Sequence, residues 1–441
     1  MSEVQINKCI KVTLKKCLNY DTKEIKRIIK DFQYMYSKAY NMATNYMYLW
    51  DTNSMNLKTL YDEKISDKEL LGKSKSAWIE NRMNEIINGA LSNNVAQARQ
   101  DVINKYNKCK KDGLLKGKVS LPNYKLDSPV IIHNVSYTLK NDNGYFINLG
   151  LLNQKKQKEL NVKRFDFEID KLDGNKKATI NKIISGEYKQ GSAQISITKK
   201  GKIELIISFS FTKKIENELD KNRTLGIDLG IVNVATMSIW DNNKNDWDML
   251  SYKERNIDGK ELITFRQKYE NLRRDMSIAS KWCGDGRKGH GYKTKMKPVN
   301  KIRNKISNFN DTYNHKISRY IVDLAVKHNC GKIQMENLSG ATKETQDSLL
   351  KNWTYFDLQT KIEYKAKEYG IEVIKINPKY TSKRCSKCGC IHKDNRNGSK
   401  DQAKFECVVC GHKENADINA SKNIAIPYID TIIKETEKQG Y

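Results

Sequence analysis

The sequence contains no long apolar run. No segment approaches the roughly 18–20 consecutive apolar residues that a membrane-spanning helix needs. The first residues, MSEVQINKCIKVTLKK, include no hydrophobic region of a signal peptide. The mean hydropathy is −0.74, and internal repeats and low-complexity tracts are absent. These absences argue against a membrane or secreted protein and predict a chain that stays in the cytoplasm.

Acidic residues are also in short supply. The 441 residues include 80 Lys and Arg against 52 Asp and Glu, which gives a formal net charge of +28. The excess is spread along the chain and is densest where helices are predicted, so it is not a solubilising tail. Charge on this scale predicts a polyanionic partner. Because the apolar runs of a membrane protein are missing, nucleic acid is the favoured polyanion.

Cysteine is sparse along most of the chain and concentrated near its end. Five of the ten cysteines are scattered, and we expect them to be reduced thiols. Two Cys-x-x-Cys pairs lie in the cluster of the other five, formed by Cys385, Cys388, Cys407 and Cys410. Their spacing predicts a four-cysteine zinc ribbon, a closed and therefore structural site for one Zn²⁺. Cys390 is interpreted as a bystander, and His392 and His412 are less favoured ligands.

The first half of the chain predicts antiparallel strands interrupted by helices. Apolar residues alternate in 1–20, as in a strand, and then follow helical spacing in 22–50 and 76–106. Further strands are predicted after residue 124, with a hairpin turn at Asn141-Asp142-Asn143-Gly144 and a short helix near 175–187. This order indicates a β-barrel-like unit that carries a helical insertion.

The second half alternates strands and helices. A strand-turn-strand is predicted for TLGIDLGIVNVATMSIW, and helices for 257–275 and for an apolar stripe between Ile302 and Leu324. The strand KIQMENL, a helix over 353–369 ended by Gly370, and the strand IEVIKI follow. Such alternation is typical of an α/β sheet domain.

Three carboxylates occupy the ends of these elements. Asp228 ends a strand in GIDLG, Glu336 ends KIQMENL, and Asp417 opens the last helical stretch. Each has an ordinary interpretation alone: Asp228 as a turn aspartate, Glu336 as a solvated glutamate, and either Asn415 or Asp417 as a helix N-cap. The GIDLG strand-turn also resembles the one with which sugar kinases and actin-like ATPases hold a phosphate-bound metal. Together they predict two Mg²⁺ ions about 3.5–4 Å apart that hydrolyse a phosphodiester.

A basic stretch separates two of the predicted helices. Residues 273–305 contain eleven Lys and Arg, two Asp and several glycines. A solvated face and a surface that follows a nucleic-acid backbone are both open interpretations. The candidate contacts are Arg273, Arg274, Arg287, Lys288, Lys293, Lys295, Lys297 and Arg303.

These residues resemble a known family. Asp228, Glu336 and Asp417, with a zinc ribbon between the last two, resemble the RuvC-like nuclease of TnpB transposon proteins and type V CRISPR effectors. The stretches 310–338 and 352–389 look very much like the miniature type V-F CRISPR effector, as does the ending NADINASKNIAIPYID. The resemblance covers most of the chain from about residue 75 onward.

The resemblance implies an α+β multidomain fold. The wedge domain is a β-barrel that carries the helical recognition domain, and the α/β RuvC domain has a ribonuclease-H-like fold with the zinc-ribbon insert. In residue numbers, the expected division is 1–20 and 119–212 for the wedge barrel, 21–118 for the helical domain, 213–223 for a linker, 224–381 and 413–441 for RuvC, and 382–412 for the target nucleic-acid-binding insert.

The resemblance also implies an activity. Members bind guide RNA, recognise a T-rich flanking motif, and cleave guide-paired double-stranded DNA with Mg²⁺ as an asymmetric homodimer on one guide RNA. Arg396 matches an arginine that reaches the nuclease site. Such a protein is expected in the prokaryotic cytoplasm, at the nucleoid when bound to DNA. No second nuclease motif is found, so one site is expected to cut both strands in turn.

Three rival hypotheses remain. A TnpB-type nuclease shares the chemistry but uses RNA from a transposon end. A guided binding protein without cleavage is disfavoured by the complete carboxylate set. A kinase-like ATPase is disfavoured by the four-cysteine ribbon.

Overall fold

The computed structural model describes residues 3–62, 64, 66–198, 201–215, 218–230, 232–281, 292–338, 355–396 and 403–438. Two compact units divide the chain: residues 5–212 form one, and residues 213–441 with 1–4 form the other. None of the helices in the described ranges combines the length and apolar character that a bilayer crossing requires.

A seven-stranded sheet organises the first unit. Its strands are β1 (Glu3–Cys17), β2 (Val130–Ile132), β3 (Tyr137–Asn141), β4 (Tyr145–Leu149), β5 (Phe165–Ile169), β6 (Lys189–Ile197) and β7 (Ile203–Lys214). They lie in the order β2-β6-β7-β1-β5-β4-β3. The predicted hairpin is confirmed, because β3 and β4 pair antiparallel and Asn143 in their turn has a φ of 49°.

This sheet is a half-barrel rather than a closed barrel. Strands β2 and β3 lie at its two edges, and no ladder joins them among the described residues. Side chains bridge part of the gap instead: the Tyr137 hydroxyl donates to the Gly191 carbonyl at 2.8 Å, and the Gln190 amide donates to the Tyr137 carbonyl at 3.1 Å. The curvature of a barrel is therefore present without continuous strand pairing.

Four helices lie between β1 and β2: α1 (Thr22–Tyr61), α2 (Asp67–Leu71), α3 (Lys75–Ile86) and α4 (Ser92–Lys111). Two more follow later in this unit: α5 (Gln154–Glu159) and α6 (Gly174–Ile184). Asp21 caps α1 by accepting from the Lys23 and Glu24 amides. The single helix predicted over 76–106 is wrong, since α3 and α4 are separate helices. The chain turns at Gly89, whose φ of 90° suits glycine.

The helical insertion and the sheet share one hydrophobic core. Buried side chains of α1, such as Ile29 and Tyr36, belong to the same cluster as Phe167 and Ile207 of the sheet. Gln33 of α1 also accepts the Ile197 amide of β6 at 3.2 Å. Residues 21–118 are thus packed as part of the first unit.

A six-stranded sheet organises the second unit. Its strands are β8 (Asp220–Asp228), β9 (Asn233–Asp241), β10 (Asp246–Asp248), β11 (Asn256–Asp258), β12 (Cys330–Glu336) and β13 (Glu372–Ile376). Their order is β10-β9-β8-β12-β13, with β11 also on β9, and β12 is parallel to both neighbours. The predicted linker over 213–223 is wrong at both ends. Strand β7 extends to Lys214, and β8 begins at Asp220, which pairs with Cys330 despite its polar neighbours.

Helices cover both faces of this sheet. They are α7 (Tyr252–Arg255), α8 (Lys260–Lys281), α9 (Tyr292–Lys327), α10 (Tyr355–Lys367), α11 (Ala416–Ala425) and α12 (Ile429–Lys438), and β14 (Lys404–Glu406) pairs with β15 (Lys413–Asn415). Side chains of α9 and α10 pack with Ile333 and Met335 of β12. The predicted apolar stripe is confirmed, with Ile317 and Ile321 buried. The α/β architecture expected here is present.

Candidate active site and metal centre

Two carboxylates meet at one edge of the six-stranded sheet. Asp228 is the last residue of β8 and Glu336 is the last residue of β12. These strands are parallel neighbours in which Met335 pairs with Ile227, so the next residue on each strand reaches the same edge. Both side chains are half-buried. The strand register therefore brings these two residues to the same edge of the sheet.

A close helix-sheet contact brings the third carboxylate to this edge. Asp417 lies in the first turn of α11, whose N-cap is Asn415. A Cβ atom at Gly226 would meet the Ala425 amide nitrogen and would lie 2.5 Å from the Ser421 carbonyl. Only glycine leaves room for α11 at this distance from β8. Farther along the helix, the Ser421 and Ser238 hydroxyls are 2.8 Å apart.

Asp417 is held on the side of β9. The Asn233 amide, at the start of β9, donates to the Asp417 carboxylate at 3.3 Å. Sequence reasoning did not select Asn233, because an asparagine at a strand start carries no signal of its own. The third predicted carboxylate therefore reaches the sheet edge through contacts with two strands.

The three carboxylates repel one another in the absence of cations. Burial raises the pKa of Asp228 well above its ordinary value, and the charges of Glu336 and Asp417 raise it further. Burial also raises the pKa of Glu336, against a hydrogen bond from the Thr381 hydroxyl. Divalent cations would relieve this repulsion, and carboxylate oxygens are the ligands that Mg²⁺ prefers. The residues present therefore fit a site for Mg²⁺.

Arg396 supplies a positive charge near two of the carboxylates. Its guanidinium lowers the pKa of both Asp228 and Glu336, in opposition to burial. The residue follows a 3₁₀ turn over Lys393–Asn395 in the cysteine-bearing segment. The arginine predicted at the nuclease site thus lies within electrostatic reach of two of the carboxylates.

Asn395, the residue before this arginine, is held by contacts across the cysteine-bearing segment. Its buried amide donates to the carbonyls of Lys383 and Cys390, at 2.9 and 3.2 Å, and its side-chain oxygen accepts the Val408 amide at 3.0 Å. It therefore joins the segments around both cysteine pairs. Sequence reasoning missed Asn395, since its role depends on contacts across the fold rather than on spacing.

The four predicted cysteines form a compact cluster. The Sγ atoms of Cys385, Cys388, Cys407 and Cys410 all lie within 4.8 Å of one another. The pairs Cys385–Cys410 and Cys388–Cys407 are 3.7 and 3.6 Å apart. A tetrahedron with Zn–S bonds of about 2.3 Å has edges of about 3.8 Å, whereas a disulfide would bring two sulfurs to about 2.05 Å. The sulfur positions therefore fit Zn²⁺.

Each cysteine pair is followed by a glycine that closes its turn. Gly389 and Gly411 have φ values of 78° and 67°. Their amides donate to the carbonyls of Cys385 and Cys407, at 2.9 and 3.0 Å. The repeated Cys-x-x-Cys-Gly pattern explains why both loops present two thiols to one point. Cys390 is not a member of the four-sulfur group.

The cysteine segment is tied to the helix that carries Asp417. The buried Asn419 of α11 accepts the Ser386 amide at 2.9 Å and donates to the Arg384 carbonyl at 2.8 Å. Asn423, one turn later, donates to the carbonyls of Thr381 and Arg384, at 3.0 and 2.6 Å. Thr381 also contacts Glu336. The cysteine cluster therefore adjoins the supports of two carboxylates.

Tyr355 and Arg266 are further neighbours that the sequence did not indicate. Burial raises the pKa of Tyr355 to about 12, the Asp228 charge adds to this effect, and Arg266 opposes it. Arg266 is buried on α8, and its Nε atom makes no hydrogen bond. Neither residue is selected as a site residue from the sequence, so only the fold relates them to Asp228.

The predicted basic contacts are only partly described. Arg273 and Arg274 lie exposed on α8, and Lys297 is exposed on α9. Arg287 and Lys288 lie outside the described residues, as do the side chains of Lys293, Lys295 and Arg303. Their role remains a prediction.

Two family models match the parts of the chain that carry these sites. The model described as "Cas12f1-like, TNB domain" matches residues 355–424, which include the four cysteines, Arg396 and Asp417. The model described as "Probable transposase" matches residues 207–342, which include Asp228 and Glu336.

Full-length relatives are found among curated proteins. A CRISPR-associated endodeoxyribonuclease Cas12f1 of Sulfoacidibacillus thermotolerans is 39% identical and covers 96% of this chain and 98% of its own. Another from Syntrophomonas palmitatica is 35% identical and covers 90% and 85%. A TnpB-like protein of Methanocaldococcus jannaschii is 31% identical and covers 59% and 91%.

A solved structure shares the fold. The cryo-EM structure of a Cas12f1-sgRNA-target DNA complex matches with a TM-score of 0.69 at 21% identity and covers 96% of this chain and 99% of that chain. The full-length relatives, the two family matches and this shared fold agree. The chain belongs to the Cas12f1 family of CRISPR-associated endodeoxyribonucleases, miniature type V-F effectors related to TnpB.

Proposed function

We propose that the chain is an RNA-guided DNA endonuclease of a CRISPR-Cas system. The observation that carries the proposal is the convergence of Asp228, Glu336 and Asp417 at one sheet edge in a member of this family. A net charge of +28 suits nucleic-acid partners. Guide pairing would supply sequence specificity, while the protein would read the backbone, the duplex shape and a short T-rich flanking motif.

The residues of the chain have distinct roles in this proposal. The carboxylates of Asp228, Glu336 and Asp417 would hold two Mg²⁺ ions, which supply an activated water and stabilise the leaving oxygen of a phosphodiester. Arg396 would stabilise the negative charge that develops on the phosphate. Thr381 orients the Glu336 carboxylate, and Asn233 orients that of Asp417.

The proposal extends to partners and location. We infer an asymmetric homodimer on one guide RNA, acting on double-stranded target DNA in a prokaryotic cytoplasm. Exposed Arg273, Arg274 and Lys297 would contact nucleic-acid backbone. One carboxylate site would cut both DNA strands in turn, since no second nuclease motif is found in the sequence.

The substitution Asp228→Ala tests the catalytic assignment. Loss of a metal ligand removes several kcal/mol of transition-state stabilisation, so cleavage should fall by at least about 10³-fold. Guided DNA binding should persist, because the substitution removes negative charge. Asp246→Ala is the matched control, an exposed carboxylate on an edge strand of the same sheet. Unchanged cutting by Asp228→Ala would overturn the assignment.

A TnpB-like transposon nuclease is the second candidate. The match of residues 207–342 to a probable transposase and the Methanocaldococcus relative favour considering it. The two candidates differ in the source of the guide. Sequencing the RNA that co-purifies with the protein decides between them: repeat-derived RNA supports the CRISPR effector, and transposon-end RNA supports the alternative.

A further inference from the structure

A groove lies in the second unit. Two cavities, of about 340 and 330 Å³, share Lys332, Pro427 and Tyr428 in their linings. We call them together the Tyr428 groove. Asn222, which lines the second cavity, precedes Asp228 by six residues on β8. At about 3.3 Å per residue the two positions are about 20 Å apart, so the second cavity is separate from the carboxylates. The first cavity extends towards them, since Gln334 and Ile376 in its lining are close neighbours of Glu336 on β12 and β13.

Tyr428 is displayed in an unusual way. It is 81% exposed, and its backbone φ is 56°, a left-handed conformation that non-glycine residues seldom adopt. Its carbonyl accepts the Thr431 and Ile432 amides at the start of α12, and the next residue, Ile429, is fully buried. The loop is thus anchored while the ring remains in solvent. An exposed aromatic side chain on a strained and fixed backbone is typical of a functional position.

The walls of the groove suit a nucleotide. The second cavity is lined by two cations, Lys221 and Lys332, and by three asparagines, Asn222, Asn242 and Asn245. Within the described part of the chain, neither lysine has an ion pair. A volume of about 330 Å³ is at the low end for ligand sites.

A tryptophan N–H without a partner and the positions of the acidic side chains indicate which of the two cavities suits an anion. Trp240 lines the second cavity, is 8% exposed, and has an indole N–H without a hydrogen-bond partner. The acidic side chains Glu372 and Asp430 line the first cavity instead, and Asp430 already accepts the Asn377 amide at 3.0 Å. An anion is therefore favoured on the side of Lys221, and an uncharged base on either side of Tyr428.

We propose that the Tyr428 groove binds a single-stranded nucleic-acid segment of about two nucleotides. Bases stack against Tyr428, a phosphate lies against Lys221 and Lys332, and the asparagine amides contact the base edge of the nucleotide in the second cavity. Aromatic stacking with a cationic flank is the usual way of holding an unpaired strand. This inference rests on the proposed function, which provides RNA and DNA as sources of that strand.

Site-specific photocrosslinking tests the inference. Tyr428 is replaced by p-azidophenylalanine in the full-length protein carrying Asp228→Ala, so that bound DNA stays intact. Cells that express it are irradiated, and adducts at this position are digested with RNase A or DNase I before mass spectrometry. The same replacement at Tyr252, which is 79% exposed in the same unit, is the matched control.

A nucleotide adduct at position 428, absent at position 252, is the expected result. Its sensitivity to RNase A or DNase I identifies guide RNA or DNA as the source. Tyr428→Ala should weaken binding of that strand by about 5- to 100-fold, while Tyr428→Phe and Tyr252→Ala should retain it. An adduct to a second copy of the chain or another protein, or none while RNA co-purifies, would overturn the inference. A protein with Asp228 intact that neither retains RNA nor cuts DNA would contradict the proposed function itself.

Discussion

The four cysteines and the three carboxylates differ in how closely their ligand atoms are spaced for a metal ion. The sulfurs of Cys385 and Cys410 are 3.7 Å apart, close to the edge of a zinc tetrahedron. Among the described residues, the cysteines are the one group of three or more ligand-bearing side chains with this compactness. The carboxylates instead meet at an edge where burial and repulsion raise the pKa of Asp228.

This is the difference expected between a structural and a catalytic metal site. The cysteine cluster has four ligands for a four-coordinate ion, so it can hold Zn²⁺ permanently and leave no position open. The carboxylate site is short of ligands, and a metal bound there would keep positions free for water and phosphate. The two sites should therefore respond differently to chelation, substitution and pH.

The largest effect is expected from breaking the cysteine cluster. Cys407→Ser should abolish stoichiometric zinc and DNA cleavage, because zinc binding supplies about 10–16 kcal/mol of folding energy in small zinc modules. Zinc content and limited proteolysis of the purified protein measure this. Cys390→Ser is the matched control, being adjacent but outside the four-sulfur group. Full zinc occupancy and normal cleavage in Cys407→Ser would refute the structural site.

Arg396 lies in the cysteine-bearing segment and, in the proposed function, acts at the carboxylates, so its substitution sharpens the comparison. Arg396→Ala should reduce the cleavage rate by about 10²–10³-fold, the usual cost of one group that stabilises transition-state charge. Zinc content should not change. Single-turnover cleavage at saturating Mg²⁺ measures the rate, and Lys393→Ala, an exposed residue of the same turn, is the control. A loss of zinc instead of rate would make Arg396 a structural residue.

Gly226→Ala should disturb the carboxylates without touching the cysteines. The added Cβ would clash with the backbone of α11, and overpacking of this kind costs about 1–3 kcal/mol. The unfolding temperature and the cleavage rate should both fall, because the clash displaces α11 and with it Asp417. Gly174→Ala is the control, since a Cβ there meets open space. Normal cutting by Gly226→Ala would show that the close approach of α11 is dispensable.

The smallest effect concerns pH. Because the pKa of Asp228 is raised in the folded state, the folded protein binds this proton more tightly than the unfolded chain. Without divalent cations, stability should therefore fall as pH rises from about 4 through the raised value. Asp228→Asn should unfold at a higher temperature than the parent at pH 8 in EDTA, and the gain should shrink towards pH 4. An equal difference at both pH values would rule out this origin.

Local patterns predicted the elements that hold the site. Asp228 and Glu336 end strands that are evident from their apolar residues, and the Cys-x-x-Cys spacing indicated the cluster directly. The turn at Asn143 was also evident, since Asn-Gly sequences favour it. In each of these cases the determining interactions lie within a few residues along the chain.

Other features depend on contacts between distant residues. The break between α3 and α4 falls at Gly89. The helical spacing of apolar residues continues through this segment, so periodicity alone predicts one helix. Strand β8 starts at the polar Asp220, because this residue pairs with Cys330 in the sheet. Cys330 lies about 110 residues later in the chain, so the local sequence around Asp220 gives no sign of the pairing. Asn395, Asn419 and Asn423 act through buried amides, and asparagine is otherwise common in exposed turns.

The asparagines of α11 have a consequence for the living cell. Asn419 and Asn423 hydrogen-bond the helix that carries Asp417 to residues 381–386, which lead into the cysteine cluster. In the proposed function, cleavage would then depend on a Zn²⁺ ion that takes no part in the reaction. A cell starved of zinc would then hold full-length protein that cuts DNA less, so zinc supply would limit its nuclease activity.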